Sequence, residues 1–556
     1  MKGIIYISLL FVFMPGWSMS EDNDGPYRVF SDRSLYMAGE SIRYRVYNTS
    51  PDLSDPGLSK VFYMELISPD GSSMSRSKNT IYPDGVSGLI NIPRDISSGT
   101  YYLKGYTRFM RKDGPGNYCY QQLTIINAGS KTVLPIDTSS LVFVQNLVQE
   151  SLQVSSGPIR ADLTGTMQKR SHLSLKLTNQ GGGSLNCGVT VIKKGMMERQ
   201  KRPHPLVEDP GNSALELIPE TRGVSLTGLV QFAETGLPAP YALVYISTIG
   251  SEKEFLCNYA DSDGHFYFAL SDGTGEREYF ISANHPDNAV LELFVDQDYC
   301  IEPVRLPSLP LEIDSSELEL IFSMWINTQI ADQYNQDETQ SDIESNFARD
   351  MESELFFYGR PLKIVSFDDY IRLPTLEEYF TELTPEVSIR KSNKEYSLRV
   401  HGPHPDLAVY QPLLLVDGVA IFDLESLLSV SPRAVDRFEI VNAPYTRGNV
   451  TFGGIINVIT KKGDLGAIDL PSSGLLINYM LLSQGQGLVT GKLPDGEKIP
   501  DARNTFYWNP GLELSPGESK ELEFFTPDQN GDFEVWIRGF VENGQYVEHL
   551  ISFSVE

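Results

Sequence analysis

Short β-forming runs closed by turn residues recur along most of this chain, and that pattern restricts the fold more than any other feature. Residues 41–46, 61–67, 88–92, 100–106 and 121–126 are such runs, punctuated by Pro69-Asp70-Gly71 and Pro83-Asp84-Gly85. Several of them alternate polar with apolar residues. Successive side chains of a strand point to opposite faces, so an alternating strand has one face to bury and one to leave wet. Two such sheets packed face to face satisfy both, which predicts an antiparallel β-sandwich. Runs at 173–177 and 188–192, separated by Gly181-Gly182-Gly183, predict a second and less regular sandwich, and the alternating stretch 504–556 predicts a terminal one.

Two regions depart from this pattern. Residues 318–334 form the clearest helix: Leu318, Ile321, Phe322, Trp325, Ile326 and Ile330 recur along one face, and Ser316 with Glu319 fits a capping box. The polar stretch 335–346 that follows has little to bury and reads as a loop or linker. The second region is 412–462. An apolar strand, 413–416, turns at Asp417-Gly418, and two helical segments follow, the second opened by Ser431-Pro432. A buried strand then covers 438–441. After a loop holding Tyr445, Gly448, Gly453 and Gly454, strand 455–460 ends on two lysines.

Acidic residues outnumber basic ones by 73 to 45, and the net charge of -28 repels nucleic acid and anionic headgroups at long range. Neither is expected as a partner. Lys2, the apolar core 4–14, Pro15-Gly16 and the small residues Ser18 and Ser20 make up a secretory signal peptide. Its apolar run is too short to span a bilayer. Cys119, Cys187, Cys257 and Cys300 lie far apart with no CxxC pair. Export permits disulfides, and Cys257 with Cys300 is the favoured pair, buried free thiols being the alternative. The basic residues Lys193, Lys194, Arg199, Lys201 and Arg202 precede Pro203 and Pro205 and read as a solvated linker.

Catalytic patterns are missing. There is no GxSxG, no P-loop and no Gly-Cys-Gly-Glu-Gln run of the kind that makes an internal thioester. His401 and His404 form HxxH, but Pro403 and Pro405 make that segment extended, so the rings would not share a helix face as a zinc site requires. Asp261 and Asp263 before Gly264 suit a calcium loop only in part, because Tyr259 and Leu270 stand where its end carboxylates belong; a hairpin turn is expected. No enzyme activity, cofactor or metal is expected. Aromatic runs such as Tyr101-Tyr102, Phe356-Phe357-Tyr358 and Phe506-Tyr507-Trp508 are candidates for interface anchors, though most aromatics of a β protein are core.

Three stretches carry resemblances. SLYMAGESIRYRVY, VFYMELISPDG and GLINIPRDISSGTYYLKGYTRFMR resemble the macroglobulin-type domain of large bacterial envelope proteins. VSLTGLVQFAETGLPAPYALVYIS with NYADSDGHFYFAL resembles the carboxypeptidase regulatory-like fold, a small non-catalytic sandwich. Residues 412–462 resemble the latter half of the plug domain of TonB-dependent outer-membrane receptors. A barrel of that kind needs about 22 strands of roughly 9–11 residues, and only 93 residues follow Gly463. The resemblance therefore implies a plug without a barrel of its own.

The expected fold class is mainly β, with several macroglobulin or Ig-like β-sandwich domains plus one small α+β plug-like domain. The expected partition is a signal peptide over 1–20, a macroglobulin-type sandwich over 21–130, a second sandwich and linker over 131–220, and a carboxypeptidase regulatory-like sandwich over 221–310. A helical segment and linker over 311–385, the plug-like domain over 386–470 and a terminal sandwich over 471–556 follow. By resemblance, the chain is expected to be a periplasmic scaffold that binds an outer-membrane β-barrel protein or its assembly or transport complex. Its candidate contact residues are Asp417, Gly418, Tyr445, Gly448, Gly453 and Gly454. A macroglobulin-like protease trap or surface adhesin is the alternative, with 335–346 as the bait segment.

Overall fold

The computed structural model describes residues 26–49, 59–135, 158–198, 219–334 and 356–556, apart from 251–252, 288, 303, 393–394 and positions within 464–472 and 484–499. Residues 1–20, expected to form a signal peptide, and 335–346, the bait segment of the alternative reading, lie outside the described residues. The fold is mainly β, as expected. Each sheet of the described residues has at most five strands, and no helix among them is long and apolar enough to cross a membrane.

The first sandwich pairs a three-stranded sheet (Tyr27–Ser31, Ser41–Asn48, Val86–Asn91) with a five-stranded one. The latter runs Leu35–Met37, Cys119–Ile126, Gly99–Tyr106, Val61–Ile67, Ser73–Thr80 in spatial order. Phe62, Met64, Leu66, Tyr101 and Leu103 fill the space between the sheets. The other face of the larger sheet, which alternation predicts to be wet, is also buried: Val61–Ile67 and Gly99–Tyr106 are buried at every position.

What covers it is the third sandwich. That unit combines His265–Ala269, Ser225–Phe232 and Leu291–Val295 with a sheet of Phe255–Tyr259, Leu243–Thr248, Glu276–Asn284 and Leu475–Met480. The last strand comes from a stretch that the sequence assigns to the terminal sandwich. It pairs residue by residue with Glu276–Asn284, Tyr279 opposite Ile477 and Ile281 opposite Leu475.

The second and terminal sandwiches are one unit. His172–Asn179 lies between Ile159–Gly165 and Ser519–Phe525, and Leu185–Lys193 lies between Thr505–Leu514 and Gly531–Val541, with Tyr546–Val555 at the outer edge. Leu173, Leu175 and Leu177 share one core with Phe506, Phe524 and Phe533. Each half supplies only part of two sheets, so neither can bury its apolar face alone.

The predicted helix runs Ser315–Tyr334. Asp314 and Glu317 cap it reciprocally, each backbone N–H donating to the other's carboxylate at 2.9 Å. The face expected to pack is exposed: Leu318, Phe322, Trp325 and Ile326 face outward, whereas Leu320, Met324 and Asn327 are buried. The neighbours decide this. Leu320 and Met324 enter a cluster with Met37, Ile126, Met196 and Trp536 between the first two sandwiches, and the Asn327 amide bonds Asn504 at 2.9 Å and Gln529 at 2.8 Å.

The unit around residues 412–462, expected to be plug-like, takes in residues that precede position 386. Its five-stranded sheet runs Lys363–Ser366, Val435–Val441, Ile455–Thr460, Leu413–Val416, Val419–Ala420, so the first strand falls in the predicted linker. Leu376, Tyr379 and Phe380 of the helix Leu376–Leu383 pack on this sheet. Thr375 caps that helix. One helix, Leu424–Ser429, follows Asp417-Gly418, capped by Asp423; Ser431-Pro432 opens a turn instead of a second helix.

Candidate partner-binding surface

Asp417 and Gly418 form the tight turn between Leu413–Val416 and Val419–Ala420. Both have positive φ, 51° and 87°, the conformation that two-residue hairpins demand and that Asp-Gly supplies. Asp417 is buried, and its carboxylate accepts from the Thr460 backbone at 2.7 Å and the Thr460 hydroxyl at 2.6 Å. Gly418 N–H donates to the Asn457 side chain at 3.2 Å. These bonds tie the turn to strand Ile455–Thr460.

Tyr445, Gly448, Gly453 and Gly454 sit in and beside a small hairpin, Tyr445–Arg447 with Val450–Phe452. The hairpin lies against the third sandwich. A Cβ at Gly448 would stand 2.8 Å from the Cys257 carbonyl, and the Cys257 thiol donates to the Arg447 carbonyl at 3.3 Å. Phe255 stacks on Phe357 at 5.1 Å and lies 6.1 Å from Phe452, while Tyr245 stacks on Phe422 at 4.5 Å. Tyr445 is half-buried beside Phe357, and burial raises its phenol above the usual range. Lys253 reaches the Asp417 carbonyl at 3.3 Å, its ammonium held below the usual range by burial. Arg447 pairs with Glu254 at 3.6 Å.

The structure thus brings the six candidate residues together, but around a seam within the chain. Gly448 is exposed; Asp417, Gly453 and Gly454 are buried. Gly453 is where two backbones meet: an added Cβ would lie 2.2 Å from the Tyr410 carbonyl, closer than any real contact. Gly453→Ala should therefore force the 407–410 turn away and destabilise the plug-like unit by more than the ~1 kcal/mol that glycine and alanine differ in propensity. Thermal unfolding of the variant checks this, and an unchanged transition would contradict the close approach.

The outward surface of the unit is elsewhere. Strand Lys363–Ser366 is the end strand of its sheet, and Leu362, Ile364 and Ile371 around it are exposed, as are Val409 and Tyr410. Sequence reasoning missed these residues, because an apolar residue in a short strand gives no sign of whether its sheet continues.

The remaining sequence candidates resolve simply. Cys257 and Cys300 do not pair; all four cysteines are free and buried. Cys257 faces the seam, whereas the Cys300 sulfur lies 3.5 Å from the Tyr118 hydroxyl on the first sandwich, so the two point into different interfaces. Burial pushes the thiols of Cys119, Cys187 and Cys257 up to about 12, which suppresses the nucleophilic thiolate. Asp261 closes a hairpin turn, its carboxylate accepting from the backbones of Asp263 and His265 at 2.9 and 2.8 Å. Tyr101, Tyr102, Phe506, Tyr507 and Trp508 are buried, and Phe356-Phe357-Tyr358 line the seam.

A family-model match is lacking, and no curated protein matches the sequence. Among solved structures, Salmonella alpha-2-macroglobulin reacted with methylamine is similar at 9% identity and TM-score 0.24, over 95% of this chain and 39% of that one. The native conformation of E. coli alpha-2-macroglobulin is similar at 9% identity and TM-score 0.24, over 96% and 40%. The trypsin-activated Escherichia coli protein is similar at 8% and 0.23, over 96% and 42%. The chain spans about two fifths of the length of those structures, and its mainly β class rests on its own sheets.

Proposed function

We propose that this chain is a non-enzymatic scaffold of a bacterial envelope that binds an outer-membrane β-barrel protein, or the complex that assembles or serves one, through the exposed edge of its plug-like unit. One observation carries this reading: buried contacts lock the units at fixed spacing. Asp32, fully buried, accepts from the Tyr36 hydroxyl at 2.7 Å in the first sandwich and the Thr505 hydroxyl at 2.5 Å in the second. Arg33 holds Glu40 through two bonds, 2.9 and 3.1 Å, and Glu40 in turn accepts from Asn504 at 2.7 Å. The aromatic seam joins the plug-like unit to the third sandwich. Rigid spacing suits recognition, which loses less free energy when the binding surface is already ordered.

The seam occupies the inner side of the plug-like loop, so the surface left for a partner is the end strand with Leu362, Ile364 and Ile371. An unpaired edge accepts a partner strand by backbone hydrogen bonds. A photocrosslinking residue at position 364 or 371 should capture an outer-membrane barrel protein in intact envelopes, and the same residue at buried position 245 should not. Equal yields at all three positions, or capture of soluble proteins alone, would sink the reading. A protease trap would instead change its overall dimensions after one cut within 335–346, which scattering after limited proteolysis detects.

A further inference from the structure

Where the first and third sandwiches meet, one carboxylate is enclosed without a direct counter-ion among the described residues. Glu220 is fully buried. Its backbone carbonyl accepts from Lys60 at 2.7 Å. Its Oε1 accepts from the Tyr63 hydroxyl of the first sandwich at 3.0 Å, and from the Ser225 hydroxyl and backbone of the third at 2.8 and 3.1 Å. Its Oε2 has no protein donor among the described residues. Arg108, whose charge acts on Glu220, spends its guanidinium on the Ser225 hydroxyl at 3.1 Å and the Thr227 hydroxyl at 2.5 Å, and lies 3.9 Å from Asp296. It is one hydroxyl removed from Glu220.

We propose that Glu220 is a proton-dependent clamp, holding the first and third sandwiches together more tightly when its carboxyl is protonated than when it is ionised. An ionised carboxylate out of water is costly unless it is paired, and among the described residues only one of its oxygens is served. Burial accordingly raises the Glu220 carboxyl above its usual range. The charge of Arg108 and the bonds from Ser225 oppose that shift, and the negative charge of Asp298 adds to it. Tyr63, Tyr267 and Tyr479 also face this group and are themselves held neutral by burial; Arg222 adds positive charge near Tyr267. The sign follows. A carboxyl raised in the closed joint binds its proton more tightly there than in the opened joint, so closure is favoured at low pH. Stability is lost as pH rises from the ordinary carboxylate value of 4.5 to the raised one.

Cys300 reports the joint, because its backbone N–H donates to the Tyr106 hydroxyl of the first sandwich at 2.7 Å and its side chain is buried there. In the full chain, thiol labelling mapped to each cysteine is compared between wild type and Glu220→Gln from pH 5 to pH 8. The wild-type to variant ratio at Cys300 should climb with pH, about tenfold for each pH unit of the shift, then level off, while the ratio at Cys187 in the second sandwich stays constant. A ratio at Cys300 that is flat across this range overturns the clamp. Should Glu220→Gln not fold, Tyr63→Phe serves. Losing a donor to the ionised form moves the climb to higher pH, and an unmoved profile overturns the clamp equally.

Discussion

Lys78→Met should destabilise the joint between the first and third sandwiches by about 3–5 kcal/mol, the cost of leaving a buried charge unpaired. Lys78 is fully buried. Its ammonium bonds the Asp298 carboxylate at 2.5 Å and the Met480 carbonyl at 2.6 Å, and sits 4.4 Å over the Tyr479 ring. Tyr479 donates to the other Asp298 oxygen at 2.6 Å. Methionine fills the stem but leaves Asp298 enclosed against one phenol. Adding Asp298→Leu should restore much of the loss, since removing both charges ends the desolvation penalty that removing one exposes. Denaturant unfolding of the wild type, both single variants and the double variant measures this. A Lys78→Met loss below about 1 kcal/mol would mean that the pair is solvated in solution.

Phe255→Ala is expected to cost a similar amount, about 3–5 kcal/mol, at the opposite face of the third sandwich. Phe255 is fully buried and touches Tyr245 at 5.3 Å, Phe357 at 5.1 Å and Phe452 at 6.1 Å. Its loss opens a cavity along the seam with the plug-like unit. Cys257 should then label faster, because its thiol is shielded by the same packing. Cys187, in another core, should not respond. If Cys257 reactivity stays at the wild-type rate, the two units do not depend on Phe255 for their contact.

Much of the local structure was legible. The turn at Asp417-Gly418 and the strand Ile455–Thr460 sit where the residues imply, because an Asp-Gly pair and a β-branched run are local signals. The Ser315–Tyr334 helix was legible in its extent but not in its orientation. Its most apolar face carries Leu318, Phe322 and Trp325, yet the groove between the first two sandwiches takes Leu320, Met324 and Asn327, since Asn504 and Gln529 wait there for an amide. That the six candidate contact residues form tight turns was legible, and what they pack against was not. What the Gly448 turn rests against is decided by Cys257, almost two hundred positions earlier in the chain.

Composition and alternation by themselves determined that this is a mainly β protein of several sandwiches, acidic, with its apolar residues arranged to bury one face of each sheet. They could not determine which polar faces stay wet. Val61–Ile67 is legible as a strand, but nothing in it tells what lies over Tyr63 and Glu65. In the fold Glu65 is enclosed between its cross-strand neighbours Lys104 and Arg76, and Lys104 reaches it at 2.7 Å. The reason is physical. Periodicity of two records which residues share a face, whereas burial of that face depends on what another part of the chain lays over it. Here that cover is the third sandwich, completed by a strand from 475–480, and no local signal specifies a contact made across four hundred residues.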